Sequence, residues 1–154
     1  MAYFKVSISA YSRSYDNGEI DQKDQDDIYY VEADSSSEAI IAAEKIHVRL
    51  SYSSYICDSE ATEITKDEIP LEKRFYTKKE ILISKIKDLE KEISSQREII
   101  GNLFYAISNT SNLPDKDEIE KLENEIERRK SLIKLLQPEL EKAKQELKIL
   151  EDIN

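Results

Sequence analysis

Two aliphatic stripes constrain this chain more than anything else in it. Leu82, Ile86, Leu89, Ile93, Gln96, Ile100, Leu103 and Ile107 recur at alternating steps of four and three. Further on, Ile119, Leu122, Ile126, Arg129, Ile133, Leu136, Leu140, Ala143, Leu147 and Leu150 do the same. An α-helix of about 3.6 residues per turn puts every member of such a series on one face. Sustained heptads with charged flanks are the coiled-coil pattern. Two such stripes must bury each other or find another chain.

Each stripe carries one polar break, Gln96 in the first and Arg129 in the second. Folding the helices antiparallel about a turn near 108–118 sets Leu103 against Leu122, Ile93 against Ile133 and Ile86 against Leu140. Gln96 then meets Arg129. Two independent defects in one layer point to a hairpin within one chain, because a buried polar pair costs stability but can specify register. Pro138 removes a helical hydrogen bond and crowds the preceding turn, which predicts a kink or break near 134–138. Phe75 and Tyr76 are expected at the base of the hairpin. Ile99, Leu132 and Leu135 fall outside the main stripe, and Phe104 and Tyr105 lie near the tip. They form a candidate self-association surface, set against the plainer reading of scattered surface apolars.

The other half of the chain reads with period two. Ala2, Phe4, Val6, Ile8 and Ala10 alternate with polar or aromatic residues, as in a half-buried strand. Asn17-Gly18 is a strong hairpin signal, since both central positions of a type I′ turn need positive φ. A turn centred there pairs Ala2 with Ala33, Phe4 with Val31 and Val6 with Tyr29, and the apolar faces coincide. Ile8 meets Asp27, so the apolar pairing is expected to end there and residues 10–26 to form a polar arm. Ser35 and Glu38 fit a capping box opening a helix, with Ala39, Ala43, Ile46 and Leu50 toward the sheet. Residues 54–64 read as a third strand. The expected fold is α+β: an acidic β-β-α-β head over 1–74, then an antiparallel coiled-coil hairpin over 75–154.

Charge supports that division. The net charge is −10. Residues 1–76 hold 8 Lys/Arg against 16 Asp/Glu, and residues 77–154 hold 15 against 17. So acidic a chain lacks the basic face that direct nucleic-acid binding needs, and it is repelled by anionic membranes. No apolar run approaches a membrane span and the N-terminus has no signal-peptide pattern, so a cytoplasmic protein is expected.

Motifs for chemistry are scarce. With only Gly18 and Gly101, phosphate-cradling loops are excluded. The carboxylates of 16–27 do not fit a calcium loop, because Gly18 comes too early and the terminal Glu is missing. Cys57 is the only cysteine, which rules out an internal disulfide and a Cys-based zinc site. His47 is the only histidine. A His47/Cys57 nucleophile pair is weighed against a core cysteine and a surface or partly buried histidine, and the latter is preferred. No catalytic residue, cofactor or metal is expected.

Recognition is the better-supported class. Seven of the nine tyrosines lie between Tyr3 and Tyr55, and tyrosine gives rigid contact area at low entropic cost. The candidate partner-binding set is Tyr11, Tyr15, Asp16, Glu19, Asp21, Asp24, Asp26, Asp27 and Tyr30, with Tyr3 and either Tyr52 or Tyr55 also expected on or near the outer sheet face. The expected function is a non-enzymatic interaction protein whose acidic head binds a basic or nucleic-acid-binding protein, with the hairpin as spacer or dimerisation element. One alternative is an inhibitor, of the kind phages and mobile elements encode, that imitates nucleic-acid charge. Another is a coiled-coil assembly subunit.

Overall fold

The period-two pattern becomes two unusually long strands. In a computed structural model, which describes residues 1–51, 54–109 and 115–153 and the backbone alone at Asp16, β1 is Ala2–Asp16 and β2 is Glu19–Ala33. They join at Asn17 (φ 50°) and Gly18 (φ 81°), the two positive angles a type I′ turn requires. The register is the expected one, with Ala2 opposite Ala33, Phe4 opposite Val31, Val6 opposite Tyr29 and Ile8 opposite Asp27.

Helix α1 (Ser36–Leu50) follows β2. The Ser35 side chain accepts the Glu38 N–H at 3.2 Å, while the Glu38 carboxylate accepts from Asp34 N–H at 3.2 Å. The cap is therefore displaced by one residue from a strict capping box. Strand β3 (Ser54–Ile64) returns antiparallel to β1, pairing from Tyr3–Ile64 to Ser12–Ser54 with an irregularity at Ser9/Ala10. A single 3-10 turn spans Lys66–Glu68, where Thr65 hydrogen bonds hold the Glu68 carboxyl below its usual range. Strand β4 (Phe75–Tyr76) lies parallel to β2 beside Tyr30 and Val31, so the sheet order is β3-β1-β2-β4. Phe4, Val6, Ile8, Ala10, Tyr29, Val31 and Ala33 meet Ala39, Ala43 and Ile46 in one core. Burying each large side chain contributes about 1.5–3 kcal/mol.

Three expectations need correction. Leu50 does not reach the core; it is 65% exposed at the end of α1, and Ala42 and His47 are buried instead. Cys57 is exposed rather than a core residue. Phe75 and Tyr76, expected at the base of the hairpin, belong to the head, where their backbones extend the sheet. This last feature, with Ile81 packing on the head core, places the unit boundary later than 74/75: the chain divides into Met1–Ile81 and Leu82–Asn154. Within the first unit Lys78 hydrogen bonds Asp34 and holds that carboxyl below its usual range.

Helix α2 is Lys78–Ser108 and α3 is Lys116–Ile153. Thr77 and Glu80 form a reciprocal capping box, at 3.0 and 3.2 Å. Leu82, Ile86, Leu89 and Ile93 pack with Leu140 and Ala143, flanked by Ile133, Leu136, Leu147 and Leu150. The helices are antiparallel neighbours, and Glu90 pairs with Lys144 at 3.2 Å. Helix α3 is continuous through Pro138, so the proline does not break it. The centre of the expected turn, residues 110–114, lies outside the described residues.

Candidate protein interface

The two-residue turn decides which way every side chain on the ribbon faces, because successive residues of a strand point to opposite sides. Odd residues of β1 and even residues of β2 lie on the face away from α1. This outer face carries Tyr11, Tyr15, Ile20, Asp24 and Asp26. Glu19, Asp21 and Asp27 fall on the inner face. The carboxylates that run together in sequence thus divide between two faces of a narrow ribbon. Strand β3 pairs with β1 as far as Ser12, opposite Ser54, so among the described residues the ribbon from Arg13 to Gln22 has two strands. This is shorter than the 10–26 arm expected, since Ala10 is buried in the core.

The outer face is organised by a chain of side-chain contacts. Tyr11 stacks on Tyr55 with ring centroids 5.3 Å apart and planes at 24°. The Arg13 guanidinium sits 5.1 Å from the Tyr11 centroid. Arg13 Nε donates to Gln22 Oε1 at 3.3 Å, and Gln22 Nε2 donates to Asp24 Oδ1 at 3.3 Å. Tyr15 is 77% exposed near the tip. Glu19, Asp21, Asp24 and Asp26 are exposed and, among the described residues, form no ion pair.

The structure redistributes the rest of the candidate set. Tyr30 is on the outer face but only 7% exposed, so it does not present its ring to a partner. Phe75 of β4 lies beside it, and Tyr30 lines the floor of a hollow of about 430 Å³ with Lys5, Ser7, Glu60, Thr62, Ile64 and Glu68. The side chain of Asp16, and all of Tyr52, lie outside the described residues.

Asp27 belongs to a different feature. His47 is fully buried. Its Nδ1 lies 2.9 Å from Tyr29 Oη and 3.4 Å from Asp27 Oδ2, and its Nε2 lies 2.9 Å from Ser54 Oγ. Gln25 Nε2 donates to Asp27 Oδ2 at 2.7 Å. Burial, with Asp27 adding to it, pushes the Tyr29 hydroxyl up to about 12. A carboxylate, an imidazole and a serine hydroxyl in line resemble the order of a nucleophile relay. Here the imidazole is enclosed and Nδ1 is shared with Tyr29, so the cluster acts as a polar tie between β2, α1 and the start of β3. This cluster is absent from the sequence-based candidates. A usable signal existed: the hairpin register puts Asp27 and Tyr29 on the inner face, and His47 sits one turn beyond Ala43. Cys57, the partner considered for His47, instead has its Sγ 4.0 Å from the Tyr55 carbonyl.

In the second unit, Arg129 Nη1 donates to Gln96 Oε1 at 2.8 Å, as the polar-break register requires. Gln96 also donates to Glu92 at 2.6 Å, and Arg129 to Glu125 at 2.8 Å. Arg128, above all, and Arg129 pull the Glu125 carboxyl down to about 2. Of the self-association candidates, Ile99 and Leu132 are half-buried, while Phe104, Tyr105 and Leu135 are exposed. Lys130 Nζ lies 5.6 Å from the Phe104 ring centroid.

No family model, curated protein or solved structure matches this chain. No helix among the described residues is long and apolar enough to cross a membrane, and no described group of His, Cys, Asp and Glu could hold a metal ion.

Proposed function

We propose that the chain is a non-enzymatic interaction protein and that its acidic ribbon binds a basic protein partner. The observation carrying this reading is the group of exposed carboxylates, Glu19, Asp21, Asp24 and Asp26, without ion-pair partners among the described residues, on a ribbon that continues past the last described pairing of β3 with β1 at Ser12. Keeping such charges unpaired and close together costs stability through self-repulsion. A basic partner removes that cost and is drawn in faster by the complementary field. Tyr11, Tyr15 and Tyr55 add rigid aromatic area beside the charges. The helical hairpin serves as spacer or as a dimerisation element through Phe104, Tyr105 and Leu135. The narrower nucleic-acid-mimic reading draws on charge and size alone.

The test compares the chain with a variant carrying Glu19→Gln, Asp21→Asn, Asp24→Asn and Asp26→Asn. Asp27 is left intact because it contacts His47. Both are used to capture proteins from extracts of the source cells at low and high salt. The reading requires basic proteins retained by the unsubstituted chain, lost from the variant, and weakened as salt rises from about 50 to about 500 mM. Equal capture by both chains refutes it.

A further inference from the structure

The turn fixes more than the side-chain faces. In a two-residue hairpin the flanking residues, Asp16 and Glu19, exchange both of their backbone hydrogen bonds, and bonded and non-bonded pairs alternate from there. Odd residues of β2 therefore point N–H and C=O at β1. Even residues point them away from it. Tyr30 belongs to the even series, and it is where β4 attaches along the outer edge of β2. Beyond β4 no described strand covers that edge. Ile20, Gln22, Asp24, Asp26 and Ile28 each turn an N–H and a C=O outward, with no strand beside them among the described residues.

We propose that this edge accepts an added β-strand, supplied by a basic extended segment of a protein partner. The inference rests on the acidic-surface reading above and states how the partner is held. An incoming strand continues the sheet in line with β4 and takes main-chain hydrogen bonds from the five outward residues. Its side chains alternate between faces, and each face meets carboxylates: Asp24 and Asp26 on one, Glu19 and Asp21 on the other. Lys or Arg thus finds a counter-charge wherever the alternation puts it. The same charges exclude a second copy of this chain as the occupant. Two β2 edges side by side would set acidic residues opposite one another, which is destabilising. Charged edges protect proteins against unselective strand pairing. Here they also select the sign of the partner that can pair.

The test uses a synthetic peptide of alternating Lys and Val about nine residues long, which at roughly 3.4 Å per residue covers the edge from Ile20 to Ile28. It is titrated into the full chain at low salt, with amide exchange followed residue by residue. Binding is expected to slow exchange at Ile20, Gln22, Asp24, Asp26 and Ile28. Asp21, Lys23 and Gln25 already pair with β1 and are expected to change little. Gln22→Pro removes one outward N–H without touching the β1 ladder or the charge, and Gln22→Ala is its control. The proline variant is expected to bind about two- to tenfold more weakly than the alanine variant, the effect of one backbone hydrogen bond. Peptide binding with the even-residue amides still exchanging freely, and with the two variants equal, overturns strand addition while leaving the acidic surface standing. No peptide binding overturns both. If the proline variant does not fold, the exchange pattern of the unsubstituted chain decides alone.

Discussion

The Gln96–Arg129 layer makes a quantitative prediction, because its members depend on one another. Gln96 is 7% exposed and gives its carbonyl to Arg129 and its amide to Glu92. Replacing Arg129 by Leu leaves the Gln96 carbonyl buried without its donor. An orphaned group of this kind costs about 1–3 kcal/mol. Gained apolar contact offsets part of that, so a net loss of about 1–2 kcal/mol is expected. Gln96→Leu takes away one hydrogen bond to a charged group. Arg129 keeps Glu125, so the loss is again about 1–2 kcal/mol. Replacing both converts the layer to the Leu/Ile packing on either side, and apolar replacement of a buried polar pair is neutral or stabilising. The double variant is expected within about 1 kcal/mol of the parent or above it, which implies a coupling of about 2–4 kcal/mol. Urea unfolding of the full chain, followed by helical circular dichroism, reads this. With a slope of about 2 kcal/mol per molar urea, each single change moves the midpoint by about half to one molar. Losses that simply add in the double variant would refute the claim that the two breaks form one layer.

The buried cluster gives a second prediction. His47→Leu leaves the Tyr29 hydroxyl without its partner and costs about 1–3 kcal/mol, and adding Tyr29→Phe recovers most of it; thermal unfolding of the three variants checks this. The Tyr29 hydroxyl is pushed up to about 12 in the folded chain, against an ordinary value of 10.0. The unfolded chain loses this proton first. The stabilisation is therefore whole below pH about 10 and disappears as the pH rises toward 12. Ultraviolet titration should show one tyrosine ionising late in the folded chain, and its absence counts against the buried geometry. Glu125 runs the other way, held down to about 2 from 4.5 chiefly by Arg128. Its contribution is present above about 4.5 and fades as pH falls toward 2. An NMR titration should place its midpoint near 2, rising when Arg128 is replaced by Ala, and a midpoint already near 4.5 would refute the pairing.

What could be read from the chain alone was whatever a local rule or a repeated spacing determines. Asn17-Gly18 is local chemistry, since few residue pairs accept two positive φ values, and it gave the pairing of strands fifteen residues long. The heptads gave the hairpin because one odd layer in each stripe admits a single antiparallel register. What escaped depends on elements meeting from far apart in sequence. Strand β4 is two residues long and has no period to detect, yet it sits beside the buried Tyr30. The His47 cluster draws on β2, α1 and β3, and no spacing announces it. The outward amides of β2 are backbone groups, the same in every residue but proline, so no motif can encode them. Only parity counted from the turn tells which of them face out. That is why the acidic run looked like one charged surface in the sequence. Counted from Gly18, it becomes two faces and an edge, and exchange at alternating amides separates binding through the edge from binding through the faces.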